Sequence, residues 1–323
     1  MDNEWNRRLF LKHVGIVGAG VAGSSAIGLI AKDQGRYEPL PIQTVSGRYD
    51  FSNGLEETPP ALALGRGDPA TATNEAIGAL GGMKQFVRSG EHVVIKPNIG
   101  WDRTPIQAAN TNPIVVATLV ELCLAAGAGK VTVTDNTCND AKRCFTRSGI
   151  WKAVEAAGGN IVLPAPHRFE RRDLGGVLGN IPVLTAVIEA DRLINVAIAK
   201  HHGQAKFTGA MKNLYGVIGG RRNRHHQQID HSIADLAAAF RATLTIVDAT
   251  RVLLRNGPQG GNLDDTKEMG QVVVSTDPVA VDAYACTLIG LKSSELPYIA
   301  MAEKAGLGTS NLDAIKKLGA FNG

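Results

Sequence analysis

Residues 92–98, H-V-V-I-K-P-N, and residues 130–136, K-V-T-V-T-D-N, carry the clearest structural signal in the chain. Each is an apolar run of strand length that stops in polar groups. Between them, residues 113–126 open on a proline and then repeat apolar side chains over a helical length. Outward from this unit the same alternation continues. Further strand-length runs stand at 61–64, 160–163, 192–199, 244–247 and 271–275, and helical stretches at 69–80, 139–157, 232–241 and 278–289. Strands that alternate with helices are parallel, because each return crossing consumes a helix. The pattern therefore predicts an α/β fold with a mostly parallel sheet and helices on both faces.

The composition agrees with that class. Of 323 residues, 44% are hydrophobic and 20% charged, which suits an ordinary globular core, and 37 glycines against 5% aromatics suit tight turns between layers. The formal net charge is only +4, and the arginine pairs at 7–8, 171–172 and 221–222 are separated by neutral sequence. No basic stripe with interleaved aromatics tracks a nucleic-acid backbone, so no nucleic-acid partner is expected. Residues 36–58 are polar and broken by prolines and glycines, which reads as a linker. Residues 59–323 then read as one α/β domain, with 168–184 and 208–231 as the two places for a small insertion.

The N-terminus supports two readings. Asn6 to Lys12 read N-R-R-L-F-L-K, and a mildly apolar stretch without charge follows from Val14 to Ala31. This resembles a twin-arginine signal. The resemblance implies that residues 1–35 address the twin-arginine translocation machinery, that the protein folds around a cofactor or metal before export, and that it works in the periplasm or another extracytoplasmic space. No A-x-A site precedes Gly35, so the segment is also a candidate membrane tether. The rival reading takes Gly18, Gly20 and Gly23 as the G-x-G-x-x-G turn of a flavin-dependent oxidoreductase. That turn needs a second strand ending in an acidic residue, and here Pro39 and Pro41 interrupt the place where it should run.

Several blocks occur in a fixed order: V-V-I-K-P-N (93–98), V-T-V-T-D-N (131–136), S-G-I-W (148–151), I-N-V-A-I-A-K-H-H-G (194–203), M-K-N-L-Y-G-V-I-G-G-R (211–221), L-T-I-V-D-A (244–249), N-G-P-Q-G-G (256–261) and S-T-D-P-V-A-V-D-A (275–283). Together they resemble the bacterial and archaeal family called domain of unknown function 362, over roughly residues 60–310. The resemblance implies no particular reaction and transfers no catalytic residue. Some relatives carry ferredoxin-type iron–sulfur modules, whereas this chain has no C-x-x-C-x-x-C run.

The predicted strand ends supply the site argument. Ligands of open parallel sheets bind beyond the carboxyl ends of the strands, and five of these strands end in Lys96 and Asn98, Asp135 and Asn136, Lys200 with His201 and His202, Asp248, and Asp277. Polar caps explain single cases; Asp277 before Pro278 is a natural N-cap. Lysines leaving apolar strands directly are partly desolvated, however, and call for an anionic partner. The expected catalytic set is Lys96, Asp135, Lys200, Lys212 and Asp248, with Asn98, Asn136, Asn213 and Asp277 as cofactor-binding residues around a small anionic substrate or cofactor. His201, His202, His225, His226 and His231 fall within one stretch and are candidate ligands for a divalent or redox metal ion, although they match no established spacing and serve equally as solvated or phosphate-binding residues. Cys138 and Cys144 are open to a disulfide, to metal ligation or to remaining thiols, while Cys123 and Cys286 sit in apolar helical patterns. These features lead to a metal- or cofactor-dependent enzyme acting on a small anion. A non-catalytic metal or cofactor carrier of a periplasmic redox system is the alternative.

Overall fold

The computed structural model describes residues 49–55 and 59–321. Thirteen strands follow in chain order: β1 (Tyr49–Asp50), β2 (Ala61–Arg66), β3 (His92–Pro97), β4 (Lys130–Val133), β5 (Asn160–Ile161), β6 (Phe169–Asp173), β7 (Asn180–Leu184), β8 (Arg192–His202), β9 (Lys206–Thr208), β10 (Phe240–Arg241), β11 (Leu244–Leu253), β12 (Thr266–Ser275) and β13 (Lys316–Gly319). The main sheet runs β13-β2-β12-β11-β8-β3-β4-β5, with β9 added on β8. Its neighbours are parallel except for β12, which is antiparallel to both β11 and β2, and β9, which is antiparallel to β8. The fold is thus the α/β layer structure that the alternating pattern predicts.

Strand parity explains the layers. Val93, Ile95, Val131, Val133, Ile194, Val196, Ile246 and Val274 point to one face and pack with the helices Pro69–Ala79, Pro113–Ala125 and Ile150–Ala156. Their neighbours Val94, Leu193, Ala197, Val247 and Val273 point to the other, against the helices Ile229–Ala239, Pro278–Ala285 and Pro297–Lys304. Both faces are covered, so the central strands are apolar at successive positions rather than alternating. The first two helices on the first face begin as their sequences require: Asp68 and Asn112 accept backbone N–H groups of the first turn, and each is followed by proline at the first helical position.

Three expectations are corrected. The helical stretch 139–157 is two helices, Ala141–Arg147 and Ile150–Ala156, because Gly149 between them adopts φ +75°. Residues 49–55, read as the end of a linker, dock on the domain: β1 pairs with β10, Phe51 is buried, and its carbonyl accepts from Arg192 Nη1 (2.9 Å) and Thr243 Oγ1 (2.7 Å). β6 and β7 form a separate antiparallel hairpin at 169–184, where the apolar pattern gave no strand. The signal-like segment 1–35 and its Gly18, Gly20 and Gly23 lie outside the described residues.

Candidate functional site at the carboxyl edge of the sheet

The carboxyl ends of β3, β4 and β8 open into a cavity of about 540 Å³. Its walls include Lys96, Asn98, Asp135, Asn136, Lys200, His202, Lys212, Asn213 and His226, together with Cys138, Tyr215 and Arg222. Side chains that are separated along the chain meet here because the parallel strands all end at this edge, and residues 209–226 fold across it.

Lys96 forms the floor and is fully buried. Its Nζ pairs with Asp135 Oδ1 at 2.7 Å and donates to the Pro97 carbonyl (2.8 Å) and Asn213 Oδ1 (3.1 Å). Burial lowers its pKa, and Asp135 opposes that shift. The other oxygen of Asp135 accepts from Ile99 N at 2.7 Å. Lys96 and Asp135 therefore neutralise each other, an ion pair that fixes the β3 and β4 ends rather than a free reagent. Gly216 lies directly over it, where a Cβ would overlap Asp135 Oδ1 and meet Lys96 Nζ at 2.6 Å.

An amide network extends from this pair. Asn213 Nδ2 donates to Asn195 Oδ1 (2.8 Å), and Asn98 Nδ2 donates to Asn213 Oδ1 (3.0 Å). Asn98 Oδ1 accepts from Lys200 Nζ at 2.9 Å, and that amine also donates to the Ala109 carbonyl at 2.5 Å. No carboxylate among the described residues pairs with Lys200. Burial pushes its pKa down from 10.5 to about 7; Cys138 opposes the shift and Lys212 adds to it.

Lys212 sits in the short helix Ala210–Asn213, 7% exposed, with Nζ 3.9 Å from the centre of the Tyr215 ring. It has no hydrogen-bond acceptor or carboxylate among the described residues. Burial pushes it to about 7 as well, with Cys138 opposing and Arg222 and Lys96 adding to the shift. The helix is held from below by Asp282, whose carboxylate accepts Ala210 N (2.5 Å) and Met211 N (3.1 Å) and is pushed up to about 7 by burial. A Cβ at Gly209 would strike that carboxylate, so glycine is required at the entry to the turn. Arg222 closes the opposite side: Nη1 donates to the carbonyls of Asn136 (2.8 Å) and Tyr215 (3.2 Å), and Nη2 to that of Thr137 (3.0 Å).

The five candidate histidines divide between the cavity and other places. Two line the cavity. His202 Nδ1 accepts from Gln204 N and Ala205 N, both at 3.2 Å, which leaves the ring proton on Nε2; burial, with Lys212 and Lys200, holds its pKa down at about 3. His226 stands 6.4 Å from the His202 ring and 5.2 Å from that of Tyr215. His201 points to the other side of β8, as the next residue of a strand must, and accepts from Gly257 N at 3.1 Å. The carbonyl of His225 accepts from Tyr215 Oη and Ser232 Oγ, and neither His225 nor His231 lines the cavity. Among the described residues no group of three or more His, Cys, Asp or Glu side chains is placed to hold a metal ion.

Two carboxylates also leave the expected site. Asp248 is buried, but it spends both oxygens on Asn112 N (2.7 Å) and on the Thr250 N–H (2.9 Å) and hydroxyl (2.7 Å), tying the start of the helix Pro113–Ala125 to β11. Asp277 follows β12, and because β12 is antiparallel its end lies at the opposite edge. There Asp277 caps the helix Pro278–Ala285 through Ala280 N (2.8 Å) and holds Thr309 N (2.9 Å). Cys138 and Cys144 are free thiols, the first facing the cavity and the second buried beside the Gly100 carbonyl. Tyr215, Gly216, Arg222, Asn195 and Asp282 escaped the strand-end reasoning. All five lie in or beside the blocks 194–203, 211–221 and 275–283, but none stands at the end of a predicted strand, which is where the site argument looked.

The family model described as Domain of unknown function (DUF362) matches residues 93–287, more than half of the chain and all the strands that meet at the cavity. The chain belongs to the DUF362 family. A relative, the thylakoid-associated protein sll1697 of Synechocystis sp. (strain ATCC 27184 / PCC 6803 / Kazusa), is 27% identical over 237 residues, 71% of this chain and 72% of that protein. Two solved structures are similar with a TM-score of 0.42: a Thermotoga maritima protein from a structural genomics consortium at 14% identity, and the lactate racemase apoprotein of Thermoanaerobacterium thermosaccharolyticum at 13%. They align with 72% and 76% of this DUF362 chain, which spans 60% and 58% of theirs.

Proposed function

We propose that this DUF362 protein is an extracytoplasmic enzyme that binds a small anion in the carboxyl-edge cavity and exchanges protons with it through Lys200 and Lys212. One observation carries the reading: two buried amines, neither paired with a carboxylate among the described residues, face the same cavity. A buried cation without a counter-charge is costly, and a bound anion removes that cost. With both amines near 7, each is charged when it meets an anion and is able to give up a proton at little cost. Arg222 adds a fixed positive charge, and the neutral His202 offers an Nε2–H donor. A carboxylate or phosphate of a metabolite fits this donor set.

The test is a thermal-shift screen of small carboxylates and phosphates against the wild type, Lys200→Met and Lys212→Met. Stabilisation of the wild type that both variants lose supports the reading; equal stabilisation of all three refutes it. For location, the N-R-R-L-F-L-K motif and a relative named for its association with thylakoids support export. Fusion of residues 1–35 to a reporter, with and without Arg7→Lys and Arg8→Lys, tests it: export that survives both replacements removes the twin-arginine reading.

A further inference from the structure

We infer that Lys212 is a nucleophile, and that the anion in this cavity carries an aldehyde or ketone carbon with which the Lys212 amine condenses to an imine, as a 2-oxo acid or an aldehyde acid does. The inference rests on the anion-binding reading and deepens it.

The two cavity lysines differ in a way that simple charge complementarity does not require. Lys200 is held by Asn98 Oδ1 and the Ala109 carbonyl, a fixed donor aimed from one direction. Lys212 has no such acceptor among the described residues. It is over nine-tenths buried, its stem is enclosed, and its Nζ projects into the cavity above the Tyr215 ring. An amine meant only to hold an anion gains from a fixed hydrogen-bond frame, whereas one that must attack a carbonyl carbon has to be free of acceptors and neutral part of the time. Burial and two neighbouring cations, Arg222 and Lys96, keep Lys212 neutral for a substantial fraction near pH 7. Lys200 and Arg222 then hold the carboxylate of the ligand, which brings its adjacent carbonyl to the free amine.

The step is balanced without an oxidant or reductant. The nitrogen lone pair forms the bond to the carbonyl carbon. The oxygen takes up the two protons that the neutral amine loses and departs as water. Proton transfer from the Lys200 ammonium to the imine nitrogen gives the protonated imine, which withdraws electrons from the neighbouring carbon and weakens a C–H bond there; the Lys200 amine, now neutral and lining the same cavity, takes up the released proton.

The probe is glyoxylate with sodium cyanoborohydride at neutral pH, with the labelled residue located by peptide mass spectrometry. Hydride addition to the imine carbon leaves a carboxymethyl group on the lysine. Lys212 is expected to be labelled at least about tenfold faster than exposed lysines such as Lys152, with inorganic phosphate protecting it and the neutral acetaldehyde showing no such preference. Lys212→Arg keeps the positive charge, so it should still bind phosphate while losing the label, and this separates the chemistry from misfolding. Labelling of Lys212 no faster than of exposed lysines, or labelling that phosphate leaves unchanged, overturns the inference. If phosphate binds and Lys212 is not trapped, the nucleophile fails and the anion site stands; if phosphate does not bind at all, the underlying reading fails.

Discussion

Asp135→Asn separates the charge of the buried pair from its shape. The amide keeps an oxygen for Ile99 N but removes the negative charge 2.7 Å from Lys96 Nζ. Leaving one member of a buried pair unpartnered costs about 3–5 kcal/mol. Lys96 retains the Pro97 carbonyl and Asn213 Oδ1, which places the loss toward the lower end. The variant has an escape, because it can fold with Lys96 neutral. From an ordinary value of 10.5, that route costs about 5 kcal/mol at pH 7 and only about 2 kcal/mol at pH 9, at about 1.36 kcal/mol per pH unit. The deficit measured by urea unfolding should therefore be about 3–5 kcal/mol at pH 7 and shrink to about 2 kcal/mol or less by pH 9. Thermal unfolding at pH 7 should fall by roughly 6–20 °C for a domain of this size. A second change, Lys96→Met, added to Asp135→Asn should recover stability, since no buried charge is then unpaired. A deficit that stays constant or grows with pH would refute this account of the pair.

Three other outcomes follow from the same geometry. Gly216→Ala places a methyl group against Asp135 Oδ1 and Lys96 Nζ and should cost about 1–3 kcal/mol in urea unfolding, the usual cost of overpacking; an unchanged midpoint would show that the turn yields freely. Asp277→Ala removes the cap of Pro278–Ala285 and should cost about 0.5–2 kcal/mol while leaving anion binding intact, because that carboxylate lies at the opposite edge; lost binding would contradict the placement. Lys200 and Lys212 have folded values near 7, below the 10.5 of the unfolded chain, so the unfolded chain binds more protons between these limits. The stability they contribute is present above the unfolded value and is lost as pH falls toward 7. Unliganded protein should accordingly melt higher at about pH 8.5 than at pH 7, with a smaller slope in Lys200→Met and Lys212→Met; an identical slope in all three would exclude these lysines as its source.

The layers were legible in the sequence because burial on both faces leaves unbroken apolar runs, and the helices between them carry Asp, Asn and proline at their starts. Direction was not. Gln271 to Ser275 reads as a strand whichever way it runs, and its reversal moved Asp277 away from the predicted rim. The same ambiguity of side explains His201 and His202: adjacent on β8, they point to opposite faces, and only His202 reaches the cavity. Lys96, Asp135 and Lys200 could be gathered from strand ends alone, yet sequence spacing could not reveal that Lys96 is paired with Asp135 while Lys200 and Lys212 have no carboxylate partner among the described residues. That distinction arises from contacts across more than a hundred residues, as between Lys96 and Asn213 or Lys200 and Asn98. β6, β7 and β9 were missed because F-E-R-R-D is polar, N-I-P-V-L is interrupted by Pro182 and K-F-T is short, and their pairing comes from tertiary context.

The most direct measurement is calorimetric titration of the wild type with inorganic phosphate at about pH 8, repeated in buffers of different ionisation enthalpy, to count the protons taken up on binding. A phosphate ion that pairs with Lys200 and Lys212 raises the pKa of both amines, so the wild type should bind it with net proton uptake, and a Lys200→Met/Lys212→Met variant should show neither the affinity nor the uptake. Phosphate bound equally by the folded double variant, with the same proton count, would contradict the assignment of this cavity as the anion site.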